Sequence, residues 1–299
     1  MGDWIETYRG MVKAWEVDPV EHLTVARYFS RLTDATLNFF GFCDLGPRHM
    51  SSERHALATV SLNARYLREF RAGDVLHVRT GVTEANDRGA TLIQQIYDSA
   101  TNTLAAEFEQ RLRYMNLETR KGATLSAQQL ERLVPHRIIW EPRSPLSGSP
   151  DTNDIPTVLP SAFDTVKPQE LDILGHMSAE HYIHRFSDAS TQTLAVIGMS
   201  PHYMRANRVG LSTFGFRMQF RRELHVGDRV SARSAVLDVG NASIQMLHRL
   251  YNEDTGDLAA ELLQYGAHLN LDTRRPSRIP EEIRAAGQAR IEEQQDGRN

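Results

Sequence analysis

A short turn in the second half of the chain carries residues that could act on a carbonyl group. Asp172 stands three residues before Gly175, and His176 follows. A carboxylate can attack a carbonyl carbon or activate water, and unpaired N–H groups at a helix start can stabilise the charge that develops on the oxygen. Gly175, without a side chain, would let a carbonyl approach the backbone closely. The turn therefore offers the groups that hydrolysis of an acyl compound requires, although an Asp before a helix is ordinarily a cap or turn residue.

Neighbouring residues also have ordinary structural explanations. His176 suits a structural hydrogen bond as well as a site, and Tyr182 suits a core aromatic with a satisfied hydroxyl as well as a site residue. His181 and His184 have a spacing at which metal ligands occur, with Asp188 one turn further on. A solvated helix face accounts for these three residues, so no metal site is predicted.

The same turn occurs twice in the chain. Asp18 and His22 precede Asp172 and His176 by an offset of 154 residues (172 − 18). The offset needs no gap, and roughly 30 of about 109 aligned positions are identical. Matched positions include Tyr28/Tyr182, Arg31/Arg185, Asp34/Asp188, Glu69/Glu223, Gly73/Gly227 and residues 104–107/258–261. One domain has been duplicated and fused, and a pseudo-symmetric pair of packed copies is expected.

The residue pattern predicts the same elements in each copy. Thr24 and Ser178 are good N-caps for helices of the correct apolar period, which Gly41 and Gly198 are expected to end. Extended segments are predicted before the helices, at residues 11–17 and 162–168, and loops that contain Pro47 and Pro201 are predicted after the helices. The strands predicted after them are 57–70, 75–82, 90–97 and 104–117, then 211–224, 230–237, 243–251 and 258–271. The predicted fold class is α+β, with an antiparallel sheet around one long helix in each copy.

Length and composition limit the possible classes of protein. The 299 residues suit two domains: 1–122, and 159–299 with a charged C-terminal tail that is predicted to be helical from Pro280. Between them, residues 123–158 are predicted to be a linker with a short helix at 126–133 and a loose stretch at 142–156. A formal net charge of −4 and the absence of a basic block argue against a nucleic-acid partner. No segment approaches a membrane span, no signal peptide is recognised, and the single Cys43 fits a reducing compartment, so a cytoplasmic protein is expected.

The repeated motif resembles a known family. The second copy reads Asp172-x-x-Gly175-His176-Met177-Ser178-x-x-x-Tyr182. This is similar to the Asp-x-x-Gly-His-[Val/Met]-Asn-x-x-x-Tyr signature of hotdog-fold acyl-CoA thioesterases of the 4-hydroxybenzoyl-CoA thioesterase-like superfamily. Other segments look like the betainyl-CoA (carnitine-catabolism) branch: Glu223-x-x-x-Gly227-Asp228, His248-x-x-Tyr251 and His268-Leu269-Asn270-Leu271-Asp272.

The resemblance implies a tandem double hotdog whose two units share a continuous sheet and hold acyl-CoA sites between them. It implies hydrolysis of an acyl-CoA to the free acid and CoA, with Asp172 as nucleophile or general base. The N–H groups around His176 and Met177 would polarise the carbonyl, and His176 and Tyr182 would orient the acyl group or the turn. No cofactor is implied beyond the CoA of the substrate, and a homodimer of such chains is compatible with it.

Two further sets of residues are candidates for the site. Positively charged side chains would bind the CoA phosphates, and a second carboxylate, besides that of the turn, could assist catalysis. Arg68 and Arg222 occupy equivalent positions and are the candidates for the phosphates, with Arg274 and Arg275 as alternatives. Glu69 and Glu223 lie in repeated strands, and either could assist the reaction. The residues predicted to face the acyl group mix Phe, Thr and Ser, which does not indicate an acyl specificity.

Departures from the family signature distinguish the two copies. Ser178 and Thr24 stand where the signature has Asn, so an amide contact is lost. In the first copy Glu21 stands where the signature has Gly, and its carboxylate would repel the developing negative charge. The first site, with Asp18 and His22, is therefore expected to be weak or inactive, and the second to carry the activity.

Two other functions on a similar fold remain open. Hotdog hydratases and dehydratases typically have an Asp-x-Asn-Pro-[Leu/Ile]-His turn, which neither copy matches. A non-catalytic acyl-CoA-binding protein would be favoured if the loss of Asn and the presence of Glu21 reflect decay of the site.

Overall fold

The computed structural model describes residues 3–141 and 151–296. Two compact units are formed, Met1–Pro145 and Leu146–Asn299. Residues 142–150, which cover most of the loose stretch predicted in the linker, and residues 297–299 of the predicted tail lie outside the described part of the chain.

The first unit contains a five-stranded antiparallel sheet with strand order β1-β3-β4-β5-β2. Its strands are β1 (Ile5–Met11), β2 (His55–Tyr66), β3 (Val75–Asn86), β4 (Gly89–Asp98) and β5 (Thr103–Asn116). Its helices are α1 (Val25–Phe42), α2 (Pro47–Glu53) and α3 (Ala127–Leu133).

The second unit repeats this architecture, with strand order β6-β8-β9-β10-β7 and a two-residue strand, β11, paired with β10. Its strands are β6 (Leu159–Thr165), β7 (Val209–Phe220), β8 (Arg229–Val239), β9 (Ser243–Asn252), β10 (Leu258–Asn270) and β11 (Arg275–Pro276). Its helices are α4 (Ala179–Val196), α5 (Pro201–Asn207) and α6 (Glu281–Asp296).

Each unit has one long helix of 18 residues that buries an apolar face against strands of its own sheet. On α1, the ring of Phe29 lies 6.4 Å from that of Phe108 of β5, and the Leu32 carbonyl accepts a hydrogen bond from Gln94 Nε2 of β4. On α4, Phe186 lies 6.2 Å from the ring of His248 of β9. The predicted α+β class with an antiparallel sheet in each copy is confirmed.

The first strand of each unit ends earlier than predicted. Extended segments were expected at residues 11–17 and 162–168, but the strands are Ile5–Met11 and Leu159–Thr165, and one-turn 3-10 helices follow at Ala14–Glu16 and Pro168–Glu170. The 3-10 turns are stabilised by their own carboxylates, because Glu16 accepts from the Lys13 N–H and Glu170 from the Lys167 N–H, each at 2.9 Å.

The structure also differs from the sequence prediction at Pro47, at Pro201 and at Gly41. The loops expected around Pro47 and Pro201 are short helices, with Pro in the first turn, where its missing N–H is not needed. Gly41 does not end α1, which continues to Phe42. Gly198 does follow the end of α4 as predicted, with a φ of +93°.

The two helices predicted outside the repeated core are both present. Residues 127–133 form α3, whose N-cap Ser126 accepts a hydrogen bond from the Gln129 N–H at 3.2 Å. The charged C-terminal segment forms α6, which also packs: Ile283 belongs to a buried cluster with Leu194 of α4 and Met246 of β9. The C-terminal helix is therefore an integral part of the second unit.

Candidate active site

The turn that precedes α4 carries the predicted site of the second unit. An antiparallel bridge between Leu171 and Met177 closes its base, and the Asp172 N–H donates to the His176 carbonyl at 2.9 Å. Gly175 has a φ of +82°, in the left-handed region that favours glycine. No atom would lie within 4 Å of a Cβ added at Gly175. Backbone conformation, rather than lack of space, therefore explains the glycine of the motif.

The Asp172 carboxylate is partly withdrawn from water at the centre of this turn. Its Oδ1 accepts a hydrogen bond from the Leu174 N–H at 2.8 Å, and the His176 N–H also donates to the carboxylate. Burial raises the pKa of Asp172, and the negative charge of Glu223 adds to the rise, although His176 and the two N–H groups act in the opposite direction. A raised pKa makes this carboxylate a stronger base than an exposed aspartate.

The His176 side chain lies between two carboxylates. Its Nδ1 is 3.5 Å from Asp172 Oδ2, and its Nε2 is 3.7 Å from Glu223 Oε1 in the segment after β7. The side chains of Asp172, His176 and Glu223 are 21%, 16% and 27% exposed, so the group is sheltered but reachable. From the sequence, Glu223 was only one of two glutamates that could assist catalysis. The structure brings it to the site, and the 154-residue offset that pairs it with Glu69 was the available signal.

The N–H groups predicted as oxyanion donors are engaged elsewhere. The Met177 N–H donates to the Leu224 carbonyl at 2.7 Å, and the His176 N–H donates to the Asp172 carboxylate. The structure therefore differs from the prediction that these two groups face an incoming carbonyl. The bond from Met177 instead joins the turn to the segment that carries Glu223.

Tyr182 is buried, and its hydroxyl donates to the Arg222 carbonyl at 3.3 Å. Its ring packs edge-on against Phe220 with centroids 5.2 Å apart. Burial raises the pKa of Tyr182, so the phenol keeps its proton. These contacts favour the core-facing alternative over the predicted role in orienting the acyl group.

The first unit holds an equivalent cluster. Asp18 Oδ1 accepts hydrogen bonds from the N–H groups of Val20 and His22 at 2.9 and 3.0 Å, and His22 Nε2 lies 3.0 Å from Glu69 Oε2. The repeat therefore brings an Asp, a His and a Glu together in both units. Glu21 is exposed and has a φ of +66°, so it adopts the left-handed conformation that its glycine counterpart adopts in the other unit.

Other residues singled out in the sequence lie at or near the surface. Arg68 and Arg222 are exposed, as phosphate-binding side chains would be. His181 Nδ1 is 2.7 Å from the Ser178 hydroxyl, and His184 is 3.8 Å from Glu180. Within residues 3–141 and 151–296, no group of three or more His, Cys, Asp or Glu residues could hold a metal ion.

No helix within residues 3–141 and 151–296 combines the length and the apolar character needed to cross a bilayer.

Similar proteins of known sequence include two curated relatives. The L-carnitine dehydrogenase/betainyl-CoA thioesterase of Ruegeria pomeroyi is 30% identical over 149 residues, which are 49% of this chain and 29% of that protein. The betainyl-CoA thioesterase of Pseudomonas aeruginosa is 28% identical over 135 residues, 45% of this chain and 85% of that protein. The match thus covers less than a third of the first relative's length.

Solved structures of similar fold cover almost the whole chain. A putative oleoyl thioesterase from Lactobacillus plantarum has a TM-score of 0.70 at 14% identity, over 90% of this chain and 97% of that one. An acyl-ACP thioesterase from Bacteroides thetaiotaomicron has a TM-score of 0.68 at 16% identity, over 87% and 96%. At sequence identities this low, the similarity shows that the folds are alike and nothing more.

The family is established by a sequence model that matches each repeat separately. The model of the thioesterase-like superfamily matches residues 12–133 and again residues 166–287. Both matches include the Asp…His turn, the long helix and the four strands that follow. The chain belongs to the thioesterase-like superfamily, with two copies of the family's domain in tandem.

Proposed function

We propose that this protein hydrolyses an acyl-CoA thioester to the free acid and CoA. The cluster of Asp172, His176 and Glu223 carries the proposal, because it combines a reachable carboxylate of raised pKa with an imidazole between two carboxylates. Membership of the thioesterase-like superfamily supports thioester chemistry. Two relatives named as betainyl-CoA thioesterases make CoA thioesters the first substrates to test.

Asp172 would act on the thioester carbonyl in one of two ways. As a general base it would take a proton from water, whose oxygen attacks the carbonyl carbon. As a nucleophile it would form a mixed anhydride that water then cleaves. In both cases the C–S bond breaks, and CoA leaves as a thiolate that takes up a proton. After a single turnover in ¹⁸O-labelled water, label in the Asp172 side chain identifies the nucleophilic route, since only attack of water on the anhydride at the Asp172 carbonyl puts it there.

His176 would hold the Asp172 carboxylate in place and move protons. Its two ring nitrogens face Asp172 and Glu223, so the ring can donate to one carboxylate while it exchanges a proton at its other side. Glu223 would hold the ring from its other side, since its Oε1 lies 3.7 Å from Nε2.

Stabilisation of the oxyanion is attributed to the first turn of α4. The first N–H groups of an α-helix have no acceptor within the helix, and the positive end of the helix dipole lies there. The N-cap Ser178 makes no side-chain hydrogen bond to this turn, since its hydroxyl lies 2.7 Å from His181 Nδ1 instead. The helix start, apart from the His181 N–H, which donates to the Ser178 carbonyl at 2.9 Å, therefore replaces the Met177 and His176 N–H groups as the source of oxyanion donors in the proposal.

The finer description of the fold belongs to the same proposal. We infer that each unit is a hotdog, in which the sheet wraps around the 18-residue helix, because each long helix contacts several strands of its own unit. A cytoplasmic location and a homodimer of these chains stay predictions from the sequence.

The decisive experiment is an assay of CoA release on a panel of acyl-CoAs, with a thiol-reactive dye. Asp172→Asn keeps the shape of the side chain and removes the base, so turnover should fall at least about 10²-fold. Asp18→Asn is the matched control and should do much less if the second unit carries the activity. Near-normal turnover in Asp172→Asn with a large loss in Asp18→Asn would move the activity to the first unit. Binding of acyl-CoA without release of CoA in the wild type would instead indicate a binding protein.

A further inference from the structure

A buried ion pair stands at the base of the proposed catalytic turn. The Glu170 carboxylate accepts two hydrogen bonds from the Arg185 guanidinium, at 2.9 Å from Nη1 and 2.6 Å from Nη2. The two side chains are only 8% and 4% exposed. Burial raises the pKa of Glu170, but the hydrogen bonds from Arg185 and the Lys167 N–H outweigh it, so the pKa is lowered overall and the carboxyl is ionised.

Glu170 joins the beginning of the turn to α4 at two points. Its side chain is held by Arg185, two turns along the helix, and its carbonyl accepts from the Ser178 N–H at 2.9 Å at the helix start. The bridge between Leu171 and Met177 follows directly. Asp172 directly follows Leu171, so only two peptide units separate it from Glu170. The position of Asp172 therefore depends on that of Glu170.

Arg185 adds a connection to the first strand of the unit. Its Nη2 lies 3.4 Å from the Thr165 carbonyl and 3.0 Å from Asp164 Oδ2, both at the end of β6. The guanidinium thus binds together the helix, the strand end and the approach to the turn. Breaking a buried pair of this kind leaves an uncompensated charge, which is much more costly than losing a surface pair.

We propose that Glu170 and Arg185 are positioning residues for Asp172, and that their ion pair determines the direction and the water exposure of the Asp172 carboxylate. This inference rests on the proposed function only for its kinetic consequences. The groups that face Asp172 are different ones, namely His176 on the turn, Glu223 after β7 and Tyr182 on α4, whose pKa is raised in part by the charge of Asp172. His225 faces Glu223 at 3.8 Å from the other side.

The first unit contains the matched control for this pair. Glu16 Oε2 lies 2.5 Å from Arg31 Nη2, the Lys13 N–H donates to Glu16 at 2.9 Å, and the Glu16 carbonyl accepts from the Thr24 N–H at 2.9 Å. The environment is equally buried, with 9% and 5% exposure for Glu16 and Arg31. The same substitution can therefore be made with similar structural consequences in a unit that is expected to contribute little activity.

The test compares Glu170→Gln with Glu16→Gln in the full chain. Glu170→Gln should lower kcat for acyl-CoA hydrolysis about 10- to 100-fold with a much smaller change in KM, as expected for a displaced catalytic group. It should also move the acid limb of the pH–rate profile to lower pH, since a carboxylate that gains water loses the burial that raises its pKa. Glu16→Gln should destabilise the chain to a similar extent but leave kcat and the acid limb near those of the wild type.

Other outcomes overturn the inference. If Glu170→Gln unfolds at lower temperature but keeps the kcat and acid limb of the wild type, the pair is structural only. The same holds if Glu16→Gln reproduces both kinetic effects. If Glu170→Gln does not fold, Arg185→Lys, which keeps the charge but loses the forked geometry, is measured against Arg31→Lys by the same criteria.

A readout independent of activity separates this inference from the proposed function. Titration of the ¹³C-labelled Asp172 carboxyl by NMR gives its pKa directly in the wild type and in Glu170→Gln. If no acyl-CoA is hydrolysed by the wild type, the proposed function fails, but a lower pKa of Asp172 in Glu170→Gln still supports the positioning role. An unchanged pKa of Asp172 contradicts it whether or not the protein is active.

Discussion

The Tyr203 hydroxyl lies 3.2 Å from Nε2 of His268, and the equivalent pair in the first unit has the two residue types exchanged. There, His49 Nε2 lies 2.9 Å from the Tyr114 hydroxyl. The offset of 154 residues places Tyr203 on His49 and His268 on Tyr114. A hydrogen bond between a short helix and the last long strand is therefore made in both units, with the His and Tyr positions exchanged.

The exchanged pair predicts a coupling between the two positions. His268 Nδ1 lies 3.1 Å from the Ser277 carbonyl, which can only accept, so His268 Nε2 is the acceptor for the Tyr203 O–H. Tyr203→His and His268→Tyr should each lower the free energy of unfolding by about 1–2 kcal/mol, because each leaves a polar group with a poor partner. The double variant should recover about half of the combined loss. Recovery is partial because His268 also contacts Ser277, where the first unit has Ala123. Urea unfolding measures the coupling, and purely additive losses would contradict it.

Strain at Glu21 predicts that a glycine there stabilises the first unit. Glu21 has a φ of +66°, and a side chain in this region costs about 1 kcal/mol relative to glycine. Glu21→Gly should therefore raise the free energy of unfolding by about that amount. The control is Gly175→Ala, which should lower it by a similar amount through conformation alone, since the added Cβ would meet no atom within 4 Å. Unfolding by heat or urea measures both. Equal stability of Glu21→Gly and the wild type would show that the turn relaxes without cost.

Glu21→Gly also separates two explanations for a weak first site. If the carboxylate represses that site, Glu21→Gly in an Asp172→Asn background should restore measurable hydrolysis. If it does not, the difference between the units lies elsewhere, for example in Phe70 and Phe108, which contact Tyr28 where the second unit has Leu224 and Leu262.

The duplicated architecture and its α+β class could be predicted from the sequence because periodicity and repetition are local signals. The ends of β1 and β6 could not, because Glu16 and Glu170 form 3-10 turns with backbone groups three residues away. The helical turns that begin at Pro47 and Pro201 were missed because proline favours both loops and helix starts.

The candidate site could be predicted only as far as the motif extends. Asp172 and His176 lie in one turn, so their proximity followed from the sequence. Glu223 lies far along the chain and reaches His176 through the folding of β7, which no local pattern encodes. The bond from the Met177 N–H to the Leu224 carbonyl was likewise unpredictable, because it depends on the same tertiary approach.

The side chain of Gln294 on α6 is predicted to protect an open strand edge. The pairing of β6 with β8 ends at Ser234, and the next backbone groups on that edge, the N–H and carbonyl of Val236, bond to Gln294 at 3.1 and 2.9 Å. Gln294→Met keeps the bulk but removes both bonds, so the free energy of unfolding should fall by about 1–3 kcal/mol and self-association should increase. Amide hydrogen exchange should show loss of protection at Val236. Gln288→Met, on the exposed face of the same helix, should change neither quantity.

The raised pKa of Asp172 predicts the pH dependence of the proposed activity. Only the ionised carboxylate can attack or accept a proton, so kcat/KM should fall as the pH decreases through the pKa of Asp172, which burial places above the ordinary aspartate range. Glu223 raises this pKa further through its negative charge. Glu223→Gln should therefore move the acid limb to lower pH and, because it removes the carboxylate beside His176 Nε2, reduce kcat about 10-fold or more. Glu69→Gln, the same change beside His22, should leave the limb in place if the second unit carries the activity. A shift of the acid limb to higher pH in Glu223→Gln would contradict the assignment of that limb to Asp172.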